Sequence, residues 1–158
     1  MKIVTAAEMK HLEAEAEKLG IISSHLMQNA GRVVAENTRR ILGGVTGRHI
    51  LVLAGPGNNG GDGLAAAHYL SEWGGEVTLY LCGRPDDDAN LKLASELGVS
   101  ILEVGKDENQ TQLVSLLAIA DVVIDAIFGT GQMRPIEGVF QKVLFRLAEA
   151  KIPARLSK

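Results

Sequence analysis

The sequence predicts an α/β fold, a three-layer α/β/α sandwich with a mostly parallel sheet and two extra helices at the N-terminus. Four short apolar runs alternate with helix-like segments, and this alternation is typical of parallel strands joined by right-handed crossovers. A glycine-dense stretch at residues 55–63 joins the first apolar run to an Ala- and Leu-rich segment, as expected where a strand leads into a helix. Two amphipathic segments precede the first run, so they form an added layer outside the alternation.

Capping and apolar spacing predict the two N-terminal helices. Thr5 and Glu8 match a capping box, and apolar residues follow it at helical spacing, namely Met9, Leu12, Ala16 and Leu19. Gly20 ends this helix. The second helix is capped by Ser23 or Ser24 and ended by two glycines. Its predicted apolar face consists of Leu26, Ala30, Val33, Val34 and Ile41.

The four apolar runs predict strands at 48–54, 76–82, 99–104 and 121–128. The helices between them are expected after the glycine stretch, over 88–97 with Asp residues 86–88 as its cap and first turn, and around Leu113, Leu116, Leu117 and Ala120. A last amphipathic helix over 136–150 has one apolar face, formed by Ile136, Val139, Phe140, Val143, Leu144, Leu147 and Ala148. The fourth run is almost wholly apolar, so we expect an interior strand that is paired on both sides.

Composition excludes several classes of function. The 158 residues suit one domain, and a formal net charge of −3 with a pI of about 5.8 provides no basic surface for nucleic acid. The sequence has no signal-type apolar segment and no run near the ~18 apolar residues of a membrane span, which predicts a soluble cytoplasmic protein. The single cysteine, Cys82, excludes an internal disulfide and is expected to be a buried, inert thiol. The four histidines have no metal-ligand spacing.

The glycine stretch Gly-Pro-Gly-Asn-Asn-Gly-Gly-Asp-Gly predicts a ligand site. The N-terminus of a helix that follows a strand has free N–H groups and favours anions, and glycine permits positive φ and leaves no Cβ in the way of a ligand. Asn58 and Asn59 add two amides, and Asp62 adds a carboxylate near the start of the helix. We infer a ligand with a phosphate beside the loop and a polar part near Asn59 and Asp62. The alternative is a tight turn in which Asp62 only caps the helix.

Asp125 predicts a second part of the same site. It is a carboxylate near the C-terminal end of the fourth apolar run, and a buried carboxylate needs a partner, a cation or a site. Its alternative role is to cap the loop that follows. A second glycine loop comes next, with backbone donors, a hydroxyl and a guanidinium suited to phosphate, in Gly129, Thr130, Gly131, Gln132, Met133, Arg134 and Pro135. Ligands of open α/β sheets gather at the carboxyl ends of the strands, so the two loops should meet in one crevice.

These segments together resemble the YjeF N-terminal domain family, the NAD(P)H-hydrate epimerases. The resemblance is carried by Leu-Met-Gln-Asn-Ala-Gly at 26–31, the nine residues at 55–63, Asp-Ala-Ile-Phe-Gly-Thr-Gly at 125–131, and Arg134-Pro135. It implies a Rossmann-like fold and epimerisation of the R and S forms of hydrated NADH and NADPH (NADHX and NADPHX), with a separate NAD(P)H-hydrate dehydratase as functional partner. A plain dehydrogenase is disfavoured, because Gly-Arg-Pro at 83–85 replaces the acidic residue that would hold the ribose.

The resemblance also assigns roles to individual residues. It implies that Asn58, Asn59, Gly60, Gly61 and Asp62, together with residues 129–135, line the substrate, and that Asn59 and Asp125 hold a potassium ion. Epimerisation at a hemiaminal carbon needs an acid or base that helps the hydroxyl leave and return. Asp62 is the candidate, because it is the only carboxylate of the glycine stretch. The alternative is an Asp that the family carries in its last segment and that this chain lacks.

The chain also departs from the family pattern. Gln28 replaces a Glu of the family, and after Ile152-Pro153 the family's Asp-x-Pro-Ser-Gly segment, which completes the site, does not follow. We therefore expect one domain over 1–158 that lacks the last strand or strands of the family fold and is a poor epimerase at best. An unpaired fourth strand should then favour a homo-oligomer, most simply a dimer. The alternative function is a non-catalytic ligand-binding or scaffold domain.

Overall fold

The computed structural model describes residues 4–20, 22–84, 88–130 and 135–150. Its helices are α1 (Ala6–Lys18), α2 (Ser23–Leu42), α3 (Asn58–Glu72), α4 (Ala89–Glu96), α5 (Thr111–Ile119) and α6 (Gly138–Glu149). Its strands are β1 (His49–Ala54), β2 (Glu76–Leu81), β3 (Ser100–Glu103) and β4 (Val122–Ala126). Two short 3-10 turns, Val104–Lys106 and Glu108–Gln110, lead into α5. All four predicted strands are present, each shorter than its apolar run.

The four strands form one parallel sheet in the order β3-β2-β1-β4. Ala54 at the end of β1 is aligned with Leu81 of β2 and with Ala126 of β4. The carboxyl ends of the three neighbouring strands therefore lie at one edge of the sheet, which is where the predicted site should be.

Helices cover both faces of the sheet, which confirms the predicted sandwich. On one face α3 packs on alternate residues of β1, including Ile50 and Val52, and α2 and α4 pack beside α3 in the same core. On the other face α5 and α6 pack on Leu51, Leu53 and Tyr80. Cys82 is fully buried in this second core, as expected for an inert thiol. None of the described helices is both long enough and apolar enough to cross a membrane.

The predicted apolar face of α2 is wrong except at Val34, which packs on the core, and at Leu26, which is partly buried. The buried residues of α2 are Gly31, Ala35, Thr38 and Leu42, whereas Val33 and Ile41 are more than half exposed. A Cβ at Gly31 would lie 2.4 Å from the Cβ of Ala65, so α2 packs on α3 through small residues that allow close approach. Apolar periodicity placed the buried face at the wrong positions because it gives no weight to small residues.

Helix α1 has the predicted capping box but not the predicted packing. Thr5 Oγ1 accepts a hydrogen bond from the Glu8 amide at 3.2 Å, and the Thr5 amide donates to Glu8 Oε2 at 2.7 Å. No residue of α1 is buried, and Met9 and Leu12 are 46% and 53% exposed. The apolar spacing therefore forms a helix that lies on the surface of the described structure.

Strand β4 is at the edge of the described sheet and not in its interior. It pairs with β1, and no other described strand pairs with it. Its side chains Val122, Val123 and Ile124 are only partly buried. The last helix, α6, begins at Gly138, two residues after its predicted start, and Val143 is its one fully buried residue. Asp88 caps α4 as predicted, whereas residues 86 and 87 lie outside the described residues.

Candidate active site

The glycine stretch is mostly helix. Strand β1 ends at Ala54, only residues 55–57 form a turn, and α3 begins at Asn58, with Gly57 at its N-cap. The first amide inside α3 with a capping or helical acceptor is that of Gly61, which donates to the Gly57 carbonyl at 3.2 Å. The three preceding amides of the helix have no such acceptor and are available to an anion. Asp62 is the fifth residue of α3 and makes no cap bond, so its alternative role as a helix cap is wrong.

The glycines of this stretch serve close packing and not backbone freedom. Positive φ occurs at other glycines but at none of those in 55–63. A Cβ at Gly60 would lie 1.9 Å from the Gly55 carbonyl oxygen, and one at Gly55 would lie 2.0 Å from the Ile127 carbonyl oxygen. Among the glycines of this stretch, Gly57 is the only one at which a Cβ would meet no atom within 4 Å. The expectation of positive φ was therefore wrong, and bare backbone brings the turn, α3 and the end of β4 together.

A crevice of about 800 Å³ lies at the carboxyl ends of β1 and β4. The first turns of α3 provide Asn58, Asn59 and Asp62, and the segment after β4 provides Phe128, Gly129 and Thr130. The opposite wall is α1, with Met9, Lys10 and Glu13. Two loops predicted from separate parts of the sequence thus meet in one cavity.

The structure brings together some of the predicted site residues and separates others. Gly60 and Gly61 are buried beneath the crevice and do not line it. Pro135 is exposed and is also not part of the lining. Gly131, Gln132, Met133 and Arg134 lie outside the described residues.

Asn59 connects the two loops directly. Its Nδ2 donates a hydrogen bond to the Phe128 carbonyl oxygen at 3.1 Å. Because this bond requires the NH2 group on that side, the amide oxygen Oδ1 is turned away from the carbonyl and accepts no hydrogen bond from a described residue. An oxygen so placed is a suitable ligand for a hard cation.

Asp125 is exposed, which contradicts the expectation of a buried carboxylate. Its Oδ1 accepts a hydrogen bond from the Ile127 amide at 3.1 Å, so it caps the loop that follows, as its alternative role predicted. It is exposed because β4 is the edge strand of the described sheet. Asp125 does not line the crevice. It accepts the hydrogen bond from the amide of Ile127, and Ile127 is part of the lining. Among the described residues no group of three or more His, Cys, Asp or Glu is placed to hold a metal ion.

Asp62 is the titratable group of the crevice with the most perturbed environment. The pKa of its carboxyl is raised to about 6, mainly by burial and next by the carboxylate of Glu13 on α1, while the Arg84 guanidinium acts to lower it. No described residue donates a hydrogen bond to this carboxylate. A half-buried carboxyl with a pKa near neutral pH can both give and take a proton at physiological pH.

The sequence of this chain matches the family described as YjeF-related protein N-terminus over residues 23–156. The chain belongs to this family. It is 36% identical over 164 residues to the NAD(P)H-hydrate epimerase of Rhodobacter capsulatus, a match that covers 96% of this chain and 73% of that protein. It is 41% identical over 150 residues to the bifunctional NAD(P)H-hydrate repair enzyme Nnr of Thermofilum pendens, with 91% of this chain and 28% of that protein covered. The resemblance found in the sequence is thereby confirmed.

The fold of the family is also shared. A crystal structure of the yeast protein ynu0 superposes on this chain with a TM-score of 0.80 at 27% sequence identity, covering 95% of this chain and 66% of that one. The chain spans 63% of the epimerase of Neurospora crassa, to which it is 33% identical over 154 residues. It thus corresponds to about two-thirds of the single-function relatives and to about a quarter of the bifunctional ones.

Within this YjeF-related domain, sequence reasoning assigned no role to two residues of the site. Glu13 reaches the crevice because it shares a face of α1 with Lys10, three residues before it. Arg84 lies immediately behind the turn at 55–57, where it binds two carbonyl oxygens. The only sequence signal for Arg84 was a basic residue in the place where a dehydrogenase carries an acidic one.

Proposed function

We propose that this crevice epimerises the R and S forms of hydrated NADH and NADPH. The observation that carries the proposal is the half-buried Asp62, with a pKa of about 6, placed in a large crevice at the N-terminus of α3. Membership of a family whose relatives include NAD(P)H-hydrate epimerases supports the reaction class. A volume of about 800 Å³ is enough for a nucleotide.

The start of α3 is the binding element for the substrate phosphates. Its first amides lack intrahelical acceptors, and the helix dipole favours an anion there. Asn58 adds a side-chain amide at the same point, and Gly129 and Thr130 add a backbone donor and a hydroxyl from the facing loop. Residues 131–134 are proposed to extend this contact.

Asp62 is the proposed catalytic residue. In its protonated form it gives its proton to the hydroxyl on the hemiaminal carbon, so that the C–O bond breaks and a water molecule leaves. The ring nitrogen supplies the electron pair, and the carbon becomes planar and cationic. Water then adds to the other face and returns a proton to the Asp62 carboxylate, which balances the reaction and restores the acid.

We further propose a monovalent cation, potassium, held by Asn59 and Asp125. The Oδ1 atom of Asn59 accepts no hydrogen bond from a described residue, and Asp125 is exposed near the end of β4, the strand that leads to Phe128, so both side chains can offer an oxygen to a hard cation. Such a cation would offset the negative charge of the substrate. Titration calorimetry with potassium chloride tests this, because Asp125→Ala should abolish the binding heat while leaving the fold intact.

Two partners complete the proposal. The bifunctional relatives suggest an NAD(P)H-hydrate dehydratase that consumes one epimer. The outer edge of β4 is unpaired in the described sheet, and an unpaired edge favours a second copy of the chain. We therefore propose a homodimer in the cytoplasm, which sedimentation at low micromolar concentration would distinguish from a monomer.

The test of the function is an NMR assay that follows a mixture enriched in one epimer of NADHX. The wild-type chain should speed the approach to equilibrium over the spontaneous rate, and Asp62→Asn should lower kcat by ~10²–10⁴-fold. Glu72→Gln is the matched control, because Glu72 is an exposed acid on the same helix, away from the crevice. Binding without any acceleration would instead support the non-catalytic ligand-binding domain.

A further inference from the structure

Arg84 is a buried cation that does not face the crevice. It follows β2, its side chain is only 5% exposed, and it is not among the residues that line the cavity. Burying a guanidinium is costly unless its charge and its donors are matched. Its position therefore calls for an explanation other than direct contact with a ligand.

The guanidinium binds the turn that precedes α3. One nitrogen, Nη1, donates to the Gly55 carbonyl oxygen at 2.8 Å and to the Gly57 carbonyl oxygen at 2.7 Å. A single group thus fixes two carbonyls that are two residues apart. The Gly57 carbonyl also accepts the first hydrogen bond of the helix, from Gly61, so the same contact sets where α3 begins.

The first turn of α3 rests on the same guanidinium. A Cβ at Gly60 would lie 2.7 Å from Nη1, and one at Gly61 would lie 3.2 Å from Nη2. The glycines are therefore required in part because Arg84 occupies the space behind them. This packing places the helix start at a defined distance from the end of β2.

Asp88 holds the guanidinium from the other side. Its carboxylate pairs with Nη2 of Arg84 and also caps α4, where it accepts from the amides of Asn90 and Leu91 at 2.9 and 3.2 Å. The Asn90 side chain in turn accepts a hydrogen bond from Gln28 of α2 at 2.7 Å. The turn is thereby connected to two helices of the main body.

The burial of Arg84 carries a cost in stability. The Nε atom of Arg84 is buried and finds no acceptor among the described residues. Replacing a buried ion pair by apolar groups is often neutral or stabilising. A role in placing the turn accounts for the charge at this position better than a role in stability.

We propose that Arg84 is a positioning residue of the crevice, whose guanidinium holds the 55–57 turn so that Asp62 and the free amides of α3 meet the substrate correctly. The reaction that it serves rests on the function proposed above, but the ordering of the turn does not. The two can therefore be tested separately.

The first experiment is native-state hydrogen exchange without ligand, on wild type, Arg84→Met, Arg84→Lys and Arg48→Met. The amides of Gly61, Asp62 and Gly63 should exchange at least ~10-fold faster in Arg84→Met, with little change in β1. The exchange rates in Arg84→Lys should lie between those of wild type and Arg84→Met, because an ammonium keeps the charge but lacks the planar guanidinium that donates in fixed directions. Arg48→Met is the matched control, since Arg48 also pairs with an aspartate, at the other end of β1.

The second experiment measures kcat and KM for NADHX epimerisation in the same variants. Arg84→Met should lower kcat/KM by ~10-fold or more through misplacement, partly rescued in Arg84→Lys. Unchanged exchange at residues 61–63 in Arg84→Met, or the same increase in Arg48→Met, would overturn the proposal. If Arg84→Met does not fold, Arg84→Lys and Asp88→Asn decide it by the same readouts. An inactive wild type with selectively faster exchange in Arg84 variants would refute the epimerase function and leave the positioning role standing.

Discussion

The wall of the crevice formed by α3 and the wall formed by α1 differ in how they are held. At the start of α3, Gly60 and Gly55 approach neighbouring carbonyls so closely that a Cβ would lie within 2.0 Å of an oxygen atom. Helix α1 faces them across the cavity with no buried residue at all. Each wall nevertheless contributes charged groups to the same cavity, including Asp62 and Glu13.

This difference separates two tasks of one site. Groups that must meet a reacting atom need a fixed position, and the packed backbone of α3 provides it. Groups that act through charge alone tolerate a looser support, because an electrostatic effect changes slowly with distance. Substitutions in the α3 wall should therefore have large effects on structure, and substitutions in the α1 wall should adjust Asp62 only slightly.

The largest effect is expected at Gly60. Gly60→Ala places a methyl group on the Gly55 carbonyl and against Arg84, and we expect a loss of about 3 kcal/mol in the free energy of unfolding, the upper end of the usual cost of overpacking. Gly57→Ala is the control, because a Cβ there meets nothing within 4 Å and its φ of −91° suits any residue. Urea unfolding of the two variants measures the difference. Equal stabilities would show that the α3 wall is not closely packed.

A smaller effect concerns pH. The folded-state pKa of Asp62, about 6, lies above its ordinary value of 3.8, so burial disfavours the charged form. The contribution of Asp62 to the free energy of unfolding is fully present below pH ~4, where the carboxyl is protonated in both states. It is lost as the pH rises through about 6, the pKa of the folded state. Asp62→Asn removes the ionisation and should stabilise the protein by about 1 kcal/mol more at pH 8 than at pH 4, an amount reduced because the group is only half buried.

Thermal or urea unfolding of wild type and Asp62→Asn at the two pH values checks this prediction. The control is Glu72→Gln, which should show no comparable difference between pH 4 and pH 8, because Glu72 is exposed. A stabilisation of Asp62→Asn that does not depend on pH would mean that the carboxyl titrates normally.

The smallest effect is expected on the α1 wall. Glu13→Gln removes the negative charge that raises the pKa of Asp62, so this pKa should fall below about 6 without reaching its ordinary value, because burial remains the main cause. Carbon-detected NMR of the Asp62 carboxyl measures it directly, and Glu17→Gln provides a control for an exposed acid of the same helix. Loss of cooperative folding in Glu13→Gln would contradict the view that α1 is loosely held.

The sequence predicted what depends on local order and missed what depends on tertiary packing. The strands, the capping box at Thr5 and the glycine stretch are encoded by neighbouring residues, so their positions were largely correct. The buried face of α2 was missed because Gly31 has no side chain to mark it as buried, and this lack of a side chain is what lets α2 approach α3 closely. The exposure of Asp125 depends on which strands lie beside β4 in the sheet. The role of Arg84 depends on its hydrogen bond to the Gly55 carbonyl oxygen, 29 residues earlier in the chain. Neither is visible in a local pattern.

The burial of Cys82 has a practical consequence. It is the only cysteine of the chain, it lies fully within the second core, and burial raises the pKa of its thiol to about 12. Almost no thiolate forms at neutral pH, so maleimide and disulfide reagents should leave the native protein unlabelled. A cysteine introduced at Thr130, on the rim of the cavity, would then be the single reactive thiol, and a dye attached there would report ligand entry without a cysteine-free background having to be made.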